Sequence, residues 1–369
     1  MRYIGNKTRL LSFITDALRQ LAIPPGIAHD AFAGTASVGR ELRRLGWRVA
    51  SSDLMTYSYV FQRAYVVAPQ RLSFAALRAG DPDVRRALRS PTLRAHTTAH
   101  PASTLHLIGA YLTYTLEPEC DFISEHFAPA GGRMYFTDTN AQRIDAVRHA
   151  LHRWRRDGLI DDNAYYVLLA ALLEGADRAA NTAGVYAAYI KQWQRNARRH
   201  LTVEPAPPLP GARGSSAHLG DAAAVARTLG PVDLLYIDPP YNSRQYRGYY
   251  HVPEIIARGW FDARPTLRGK TGLLDDPSQR SAWCSAGHVQ HALRELLAAS
   301  GACHVLVSYN SEGLLPAVDL QTTLREAAAD GKVRPFARSY RRYRADSDHP
   351  GRQYRGDTVR ELLYYIRLR

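Results

Sequence analysis

Apolar positions along this chain recur with two periods, and the first 53 residues show both. Over residues 9–21 they fall at helical spacing and stop before Pro24-Pro25. Ile27 to Ala31 is a short apolar run that predicts a strand, Val38 to Leu45 predicts a helix closed by Gly46, and Trp47 to Ser52 predicts a second strand ending at Asp53. The first strand is joined to the helix by the small-residue turn Phe32-Ala33-Gly34-Thr35-Ala36-Ser37. Strand, tight turn, helix, strand and terminal acid form one βαβ half of a nucleotide-binding sheet.

From about residue 57 to 200 the period becomes helical, with segments at Val84–Arg89, Leu105–Leu116, Ala141–Arg156, Ala164–Asp177 and Tyr186–Arg199. Strand signals are weak there, which predicts a mostly helical insertion. Pro205 to Ser216 is Pro/Gly/Ser-rich and reads as the linker back. The sheet pattern resumes with Ala217-His218-Leu219, a helix from Gly220-Asp221 to Leu229, and the buried run Val232 to Ile237. Val289–Ala298 predicts a helix and Cys303 to Tyr309 another buried strand, and Val333 to Tyr340 with Leu362 to Leu368 a closing β pair. Residues 261–282 are rich in Arg, Asp, Gly and Pro, so a mobile loop over about 246–285 is expected. The fold class is α/β: a Rossmann-like sheet of residues 1–60 and 201–369, interrupted by a mostly helical insertion over 61–200.

The run Val232 to Ile237 delivers Asp238-Pro239-Pro240-Tyr241 to the end of the sheet. A planar amine fits such a group: the Asp carboxylate accepts one N–H, the Pro239 carbonyl the other, and the Tyr ring stacks on the heterocycle carrying the amine. That chemistry suits an exocyclic amino nitrogen of a base taken out of its stack. A strand ending in a proline-rich turn, with Asp as turn residue, fits the same four residues. The carboxylate of Asp53 suits ribose hydroxyls, or equally the N-cap of the next helix. No Gly-Lys-Ser/Thr follows Gly34, so a ligand without phosphates fits the loop better than a nucleoside phosphate.

Charge sharpens the picture. Lys and Arg number 48 against 34 Asp and Glu, a formal +14, which favours a polyanionic partner unless it is a general solubility charge. Cys120, Cys284 and Cys303 are far apart with no CxxC, and the 14 His show no ligand spacing, so neither a metal site nor a disulfide framework is supported. No apolar stretch approaches the roughly 20 residues of a membrane span, and Met1 to Lys7 lacks a signal-peptide core; a cytoplasmic protein is expected.

Three segments now line up in order: Tyr3-Ile4-Gly5-Asn6-Lys7, Asp30–Gly39 and Asp238–Tyr241. Together they resemble the motifs of the alpha-group, Dam-like N6-adenine DNA methyltransferases, closest to the restriction–modification subset. Further similarity lies in Tyr57–Val60, Asn181–Tyr186, Asn242–Tyr246 and Ser308–Gly313, so the resemblance spans most of the chain. It implies S-adenosylmethionine as methyl donor. By position, Lys7 and the Asn6 region, with Tyr3 and Gly5, would line its methionine end. Phe32, Ala33, Gly34 and Ser37 would back it, with Asp30 near its amino group. Asp53 with Leu54 would bind the ribose, and Asp221 would meet the adenine ring. Asp238, Pro239, Pro240 and Tyr241 would form the catalytic group. Ala36 stands where many members carry glycine, and its methyl group narrows the loop.

The resemblance also places target recognition in the insertion and double-stranded DNA as partner. Lys191, Arg195, Arg198 and Arg199 are spaced i, i+4, i+7, i+8 and would share one helix face, tracking phosphates or simply facing solvent. Arg244 and Tyr246, and Arg341 and Arg342 in the run Arg338–Arg344, are further candidates for DNA contact; Asn310 and Glu312 are secondary pocket candidates. A monomer with a possible cognate restriction endonuclease is expected. N4-cytosine or RNA adenine as target, and a catalytically silent DNA-binding module, are the competing readings; Asp at the first motif position leans towards adenine.

Overall fold

The computed structural model describes residues 1–97, 103–211, 213–310, 313–341 and 358–368, without the side chains of 340, 341, 358 and 359. The chain divides into two units. One comprises residues 3–62, 211–245 and 278–369; the other comprises 1–2, 63–210 and 246–277.

The first unit is built on a seven-stranded sheet. Its strands are β1 (Ile27–Asp30), β2 (Arg48–Asp53), β3 (Ser216–Leu219), β4 (Pro231–Ile237), β5 (Gly301–Asn310), β6 (Arg334–Arg341) and β7 (Thr358–Arg367). The spatial order is β3-β2-β1-β4-β5-β7-β6. The first five strands in that order run parallel, and β7 pairs antiparallel with both β5 and β6. The chain therefore moves outward from β1 to β3 and then crosses back to lay β4 beside β1. Leu234, Leu235, Tyr236 and Ile237 of β4 and Val305, Leu306 and Val307 of β5 are all buried, as a sheet covered on both faces requires. Helices Ala222–Leu229 and Val289–Ala299 pack on this core through Ala223, Ala226, Leu293 and Leu296. A helix the sequence pattern did not single out, Ala317–Ala327, buries Leu320 and Leu324 in the same cluster.

The second unit is mainly helical. Helices Asp138–Arg156 and Asp162–Ala179 form its longest pair and bury Ile144, Val147, Leu151, Trp154, Leu168 and Leu172. Buried polar side chains fix the segments around them. Asp145, fully buried, accepts from the N–H groups of Asp121, Ile123 and Ser124 and so caps helix Phe122–Phe127. Asn140 accepts from Leu201 N–H at 3.0 Å and donates to the carbonyls of Ala197 and Arg199.

Three sequence expectations are corrected here. The segment after residue 246 is not a loop of the sheet unit: up to Pro277 it belongs to the helical unit. It contains helix His251–Arg258, whose Val252, Ile255 and Ile256 are buried, and a short ribbon pairing Leu267–Arg268 with Leu273–Leu274. The apolar spacing of that helix is real, but the Arg-, Gly- and Pro-rich stretch beyond it masked it. Residues 201–210 likewise belong to the helical unit, because Leu201 and Val203 are buried there and the Val203 N–H donates to Thr113 Oγ1 at 2.8 Å. Finally, Tyr186–Arg199 is not a helix but a series of turns and bends. Fully buried Asn181 holds it by donating to the Ile190 carbonyl at 2.7 Å and accepting from Gln194 N–H at 2.9 Å, while Asn196 donates to the Ala180 carbonyl at 2.9 Å. A side-chain amide competing for these backbone groups replaces the helical ladder.

Asn181→Ala would leave two backbone groups without partners. The substitution is expected to lower stability by about 1–3 kcal/mol and to open the 186–199 segment to trypsin at Arg195, Arg198 and Arg199. An unfolding midpoint and a digestion pattern like those of the parent would refute this role.

Candidate active site

Because β4 returns to lie against β1, the carboxyl ends of these two strands face a topological switch point, where open α/β sheets take their ligands. Asp30 is the last residue of β1 and pairs with Tyr236 of β4; Asp238 follows β4 directly. The geometry thus brings together two carboxylates that lie 208 positions apart in the sequence.

Around Asp238 a polar cluster closes. The Lys7 side chain is only 3 % exposed and the Asp238 side chain 12 %; Lys7 Nζ lies 3.1 Å from Asp238 Oδ1. The same ammonium donates to the Tyr241 hydroxyl at 2.6 Å, sits 4.6 Å from the centre of the Tyr241 ring, and is 3.8 Å from Glu361 Oε2. The Tyr241 hydroxyl donates to Asp238 Oδ1 and lies 3.3 Å from Ser308 Oγ. Its ring meets Tyr309 edge-on at 5.3 Å, and its carbonyl accepts from Leu314 N–H. Burial pushes the Asp238 carboxyl up from its ordinary range, and the Lys7 charge opposes that shift. Burial and the Asp238 charge push the Tyr241 hydroxyl well up, so it remains a neutral donor.

The loop after β1 supplies a second cluster. Asp30 is 1 % exposed; its Oδ2 accepts from Gly39 N–H at 3.0 Å, while Oδ1 is buried without a hydrogen-bond partner. Burial first, then the Asp238 charge, raise its pKa to about 7. Gly34 has φ +53°, and a Cβ there would come 2.8 Å from the Tyr3 ring, so this position requires glycine. Its N–H donates to Asp53 Oδ2 at 2.9 Å, and Asp53 Oδ1 accepts from Met55 N–H, so Asp53 ties the loop to the end of β2. Ala36, buried, adopts φ 58°, a left-handed conformation that explains why glycine suits this position in related motifs; holding alanine there costs about 1–2 kcal/mol. Asn6 Nδ2 donates to Thr35 Oγ1 at 3.3 Å, and Tyr3 meets Tyr57 edge-on, which sets the N-terminal motif against the loop. Phe32 packs edge-on against Trp283, Ala33 is buried with its N–H on the Ser52 carbonyl, and Ser37 opens helix Ser37–Arg44. Gly5 is exposed and has φ 81°; Leu54 is half-buried. Asp221 Oδ1 caps helix Ala222–Leu229 by accepting from Ala223 and Ala224 N–H, and Gly220 N–H donates to the Asp53 carbonyl.

The residues suggested for DNA contact are placed differently from the sequence expectation. Lys191, Arg195, Arg198 and Arg199 are all exposed on the helical unit, but on the irregular segment described above rather than on one helix face. Arg244, exposed, belongs to the sheet unit, and Tyr246, half-buried, opens the short helix Tyr246–Tyr249 of the helical unit. Arg341 ends β6 with its side chain outside the description, and Arg342 and Glu312 lie outside the described residues; Asn310 ends β5. Sequence reading had no role for Ser308 and passed over Glu361 entirely. Ser308 lies in one of the segments carrying the resemblance, which was a usable signal. For Glu361 no local pattern exists, because its partner Lys7 is 354 positions away. Among the described residues no group of three or more His, Cys, Asp or Glu could hold a metal ion, and no helix is long and apolar enough to cross a membrane.

Comparison with known proteins agrees with this geometry. The sequence profile described as D12 class N6 adenine-specific DNA methyltransferase matches residues 3–296. The chain is 32% identical over 371 residues to Type II methyltransferase M.NlaIII of Neisseria lactamica, covering 99% of both chains. It is 28% identical to Type II methyltransferase M.CviAII of Paramecium bursaria Chlorella virus 1, covering 97% of that protein. With Type II methyltransferase M.FokI of Planomicrobium okeanokoites it shares 30% identity, and there it spans 52% of the relative's length. An Asp-Pro-Pro-Tyr at the switch point, a profile match over most of the chain and full-length relatives lead to one conclusion: this chain belongs to the D12 class of N6 adenine-specific DNA methyltransferases.

Proposed function

We propose that this protein transfers the methyl group of S-adenosylmethionine to the N6 amine of an adenine flipped out of a short specific sequence of double-stranded DNA. The observation that carries the reading is Asp238, nearly buried at the end of β4, with Lys7 and Tyr241 against its carboxylate and its charge felt by Asp30. The cofactor fits the chain's own residues. The buried Asp30 Oδ1 offers an acceptor to an amino group, and the Gly34 backbone, bare of a side chain, permits close approach. Asp53 and Asp221 stand at the ends of β2 and β3, where a ribose and an adenine ring would follow. When bound, the cofactor supplies an electrophilic methyl on a sulfonium.

Asp238 and the Pro239 carbonyl would accept the two N–H groups of the target amine, drawing its nitrogen towards tetrahedral geometry and freeing the lone pair. To take that amine, Asp238 must first give up the Tyr241 hydroxyl it now accepts. Tyr241 would then turn from a hydrogen-bond donor into a stacking surface for the base, with Lys7 at its hydroxyl end. Lys7 opposes the upward push of burial on Asp238 and so favours its ionised, accepting form. Holding the amine and the methyl within about 3–3.5 Å supplies much of the rate by proximity. The exposed basic residues Lys191, Arg195, Arg198 and Arg199 of the helical unit, together with Arg244, are the candidates for phosphate contact, which positions a duplex without reading it. The helical unit is proposed to read the sequence. A cognate endonuclease acting on the same site is the partner this reading proposes, in a restriction–modification setting.

Two outcomes test this reading. Modified-base calling by long-read sequencing on DNA from cells expressing the chain should show N6-methyladenine in one short motif. Asp238→Ala should abolish that mark while cofactor binding measured by calorimetry stays within a few-fold; near-normal methylation by the variant would remove Asp238 from the reaction. Asp30, with its pKa raised to about 7, gives a second test. A cationic amino group at Oδ1 binds the ionised carboxylate, so affinity should rise with pH. Between pH 6 and pH 7 the ionised share goes from about one-tenth to half, and S-adenosylmethionine should bind about fivefold tighter. Asp30→Asn should weaken binding and flatten that slope; a slope that survives the substitution would assign it to another group.

A further inference from the structure

Only four of the 48 Lys and Arg residues are lysines: Lys7, Lys191, Lys270 and Lys332. Among these, Lys7 is buried, and its surroundings explain the choice. An ammonium carries three N–H donors around a single point, whereas a guanidinium is a flat fork suited to two parallel acceptors. Three oxygens stand around Lys7 Nζ: the Tyr241 hydroxyl at 2.6 Å, Asp238 Oδ1 at 3.1 Å and, at ion-pair distance beyond a hydrogen bond, Glu361 Oε2 at 3.8 Å. Glu361 comes from β7, in register with Asn310 of β5 and Arg338 of β6, and is 4 % exposed. A carboxylate buried on an inner strand of the sheet needs a charge partner, and the ammonium it faces is the one that also serves Asp238. Glu361 lies beyond residue 296, where the family match ends.

We propose that Glu361 is a positioning residue for methyl transfer, a second anionic anchor that holds Lys7 while Asp238 gives its acceptor oxygen to the target amine. The inference rests on Asp238 being the amine acceptor. With one carboxylate alone, the Lys7 ammonium would close onto Asp238 and occupy the lone pairs the amine needs. Shared between two carboxylates, Lys7 remains in place when the Tyr241 hydroxyl leaves Asp238 and the amine arrives. The three charged groups together carry one net negative charge. The other titratable groups around them are Asp30, Tyr236 and Tyr241, all felt electrostatically by or through Asp238.

The test uses the full chain with Glu361→Gln, Glu361→Asp and Asp238→Ala side by side. Glu361→Gln should lower kcat by about ten- to a hundredfold, the range a small misplacement of a catalytic group produces, with KM for DNA and for S-adenosylmethionine within about twofold. Because Asp238 then has Lys7 to itself, the acid limb of the kcat–pH profile should move to lower pH. Glu361→Asp keeps the charge and should restore the parental limb with an intermediate kcat. A folded Glu361→Gln variant with parental kcat and limb overturns the proposal, and so does a loss that falls on both KM values with the limb unmoved. If Asp238→Ala still methylates, the failure lies with the assignment of Asp238 instead. Lysine-selective 15N labelling provides a reading that does not depend on Glu361→Gln folding, since only four ammonium signals exist. The buried Lys7 should give a slowly exchanging one that shifts in Glu361→Asp while those of Lys191, Lys270 and Lys332 stay put. A Lys7 signal identical in parent and variant overturns the proposal.

Discussion

A carboxylate placed at the end of a strand that is buried on both faces cannot stand alone. Asp238 occupies that position because β4 runs through the middle of the sheet, and burial pushes its carboxyl towards the protonated form. Lys7 opposes that tendency from 3.1 Å, and much of the local arrangement follows from keeping Lys7 there. The N-terminal motif must lie against the loop after β1, which Tyr3, Tyr57, Asn6 and Thr35 accomplish. Tyr241 must present both its hydroxyl and its ring to the ammonium. β7 must be inserted between β5 and β6 so that Glu361 reaches the same point from the far side of the sheet order.

The loop that meets this cluster stores strain. Gly34 and Ala36 both have positive φ within three residues, the second with a side chain that disfavours it. Asp53 and Asp30 hold it, through Gly34 N–H and Gly39 N–H, from the ends of two neighbouring strands. A backbone constrained in this way can be approached closely by a ligand without rearranging, which is what a preformed cofactor site demands.

In the helical unit the same economy of buried polar groups serves another purpose. Asn140, Asp145 and Asn181 are all 3 % exposed or less; Asn140 and Asn181 satisfy backbone groups of segments that have no regular structure of their own, and Asp145 those that open helix Phe122–Phe127. The segment carrying Lys191, Arg195, Arg198 and Arg199 is thereby fixed from inside while its basic side chains face solvent. Rigid backbone with free charged side chains is a suitable surface for a polyanion, which is tracked by charge and not by a single shape.

Sequence by itself determined the strands of the sheet unit and most of its helices, though not Ala317–Ala327, because a strand buried on both faces leaves an uninterrupted apolar run and a helix leaves its own period. β4 with Asp-Pro-Pro-Tyr after it, β1 with its small-residue turn, and the closing pair β6 and β7 were all legible in this way. Candidate residues Lys7, Asp30, Asp53 and Asp238 were legible too, through motifs whose order matched a known group. The tertiary structure decided the rest. Residues 186–199 keep a helical spacing of basic residues yet form no helix, since Asn181, brought in by packing, takes the backbone groups a helix would use. Residues 246–277 join the helical unit because Val252, Ile255 and Ile256 find their core there, a choice between two cores that no local pattern encodes. Glu361 and Ser308 join the cluster around Asp238 only because the strand order places β5 next to β4 and β7 next to β5, and long-range pairing of that kind leaves no trace in a chain read residue by residue.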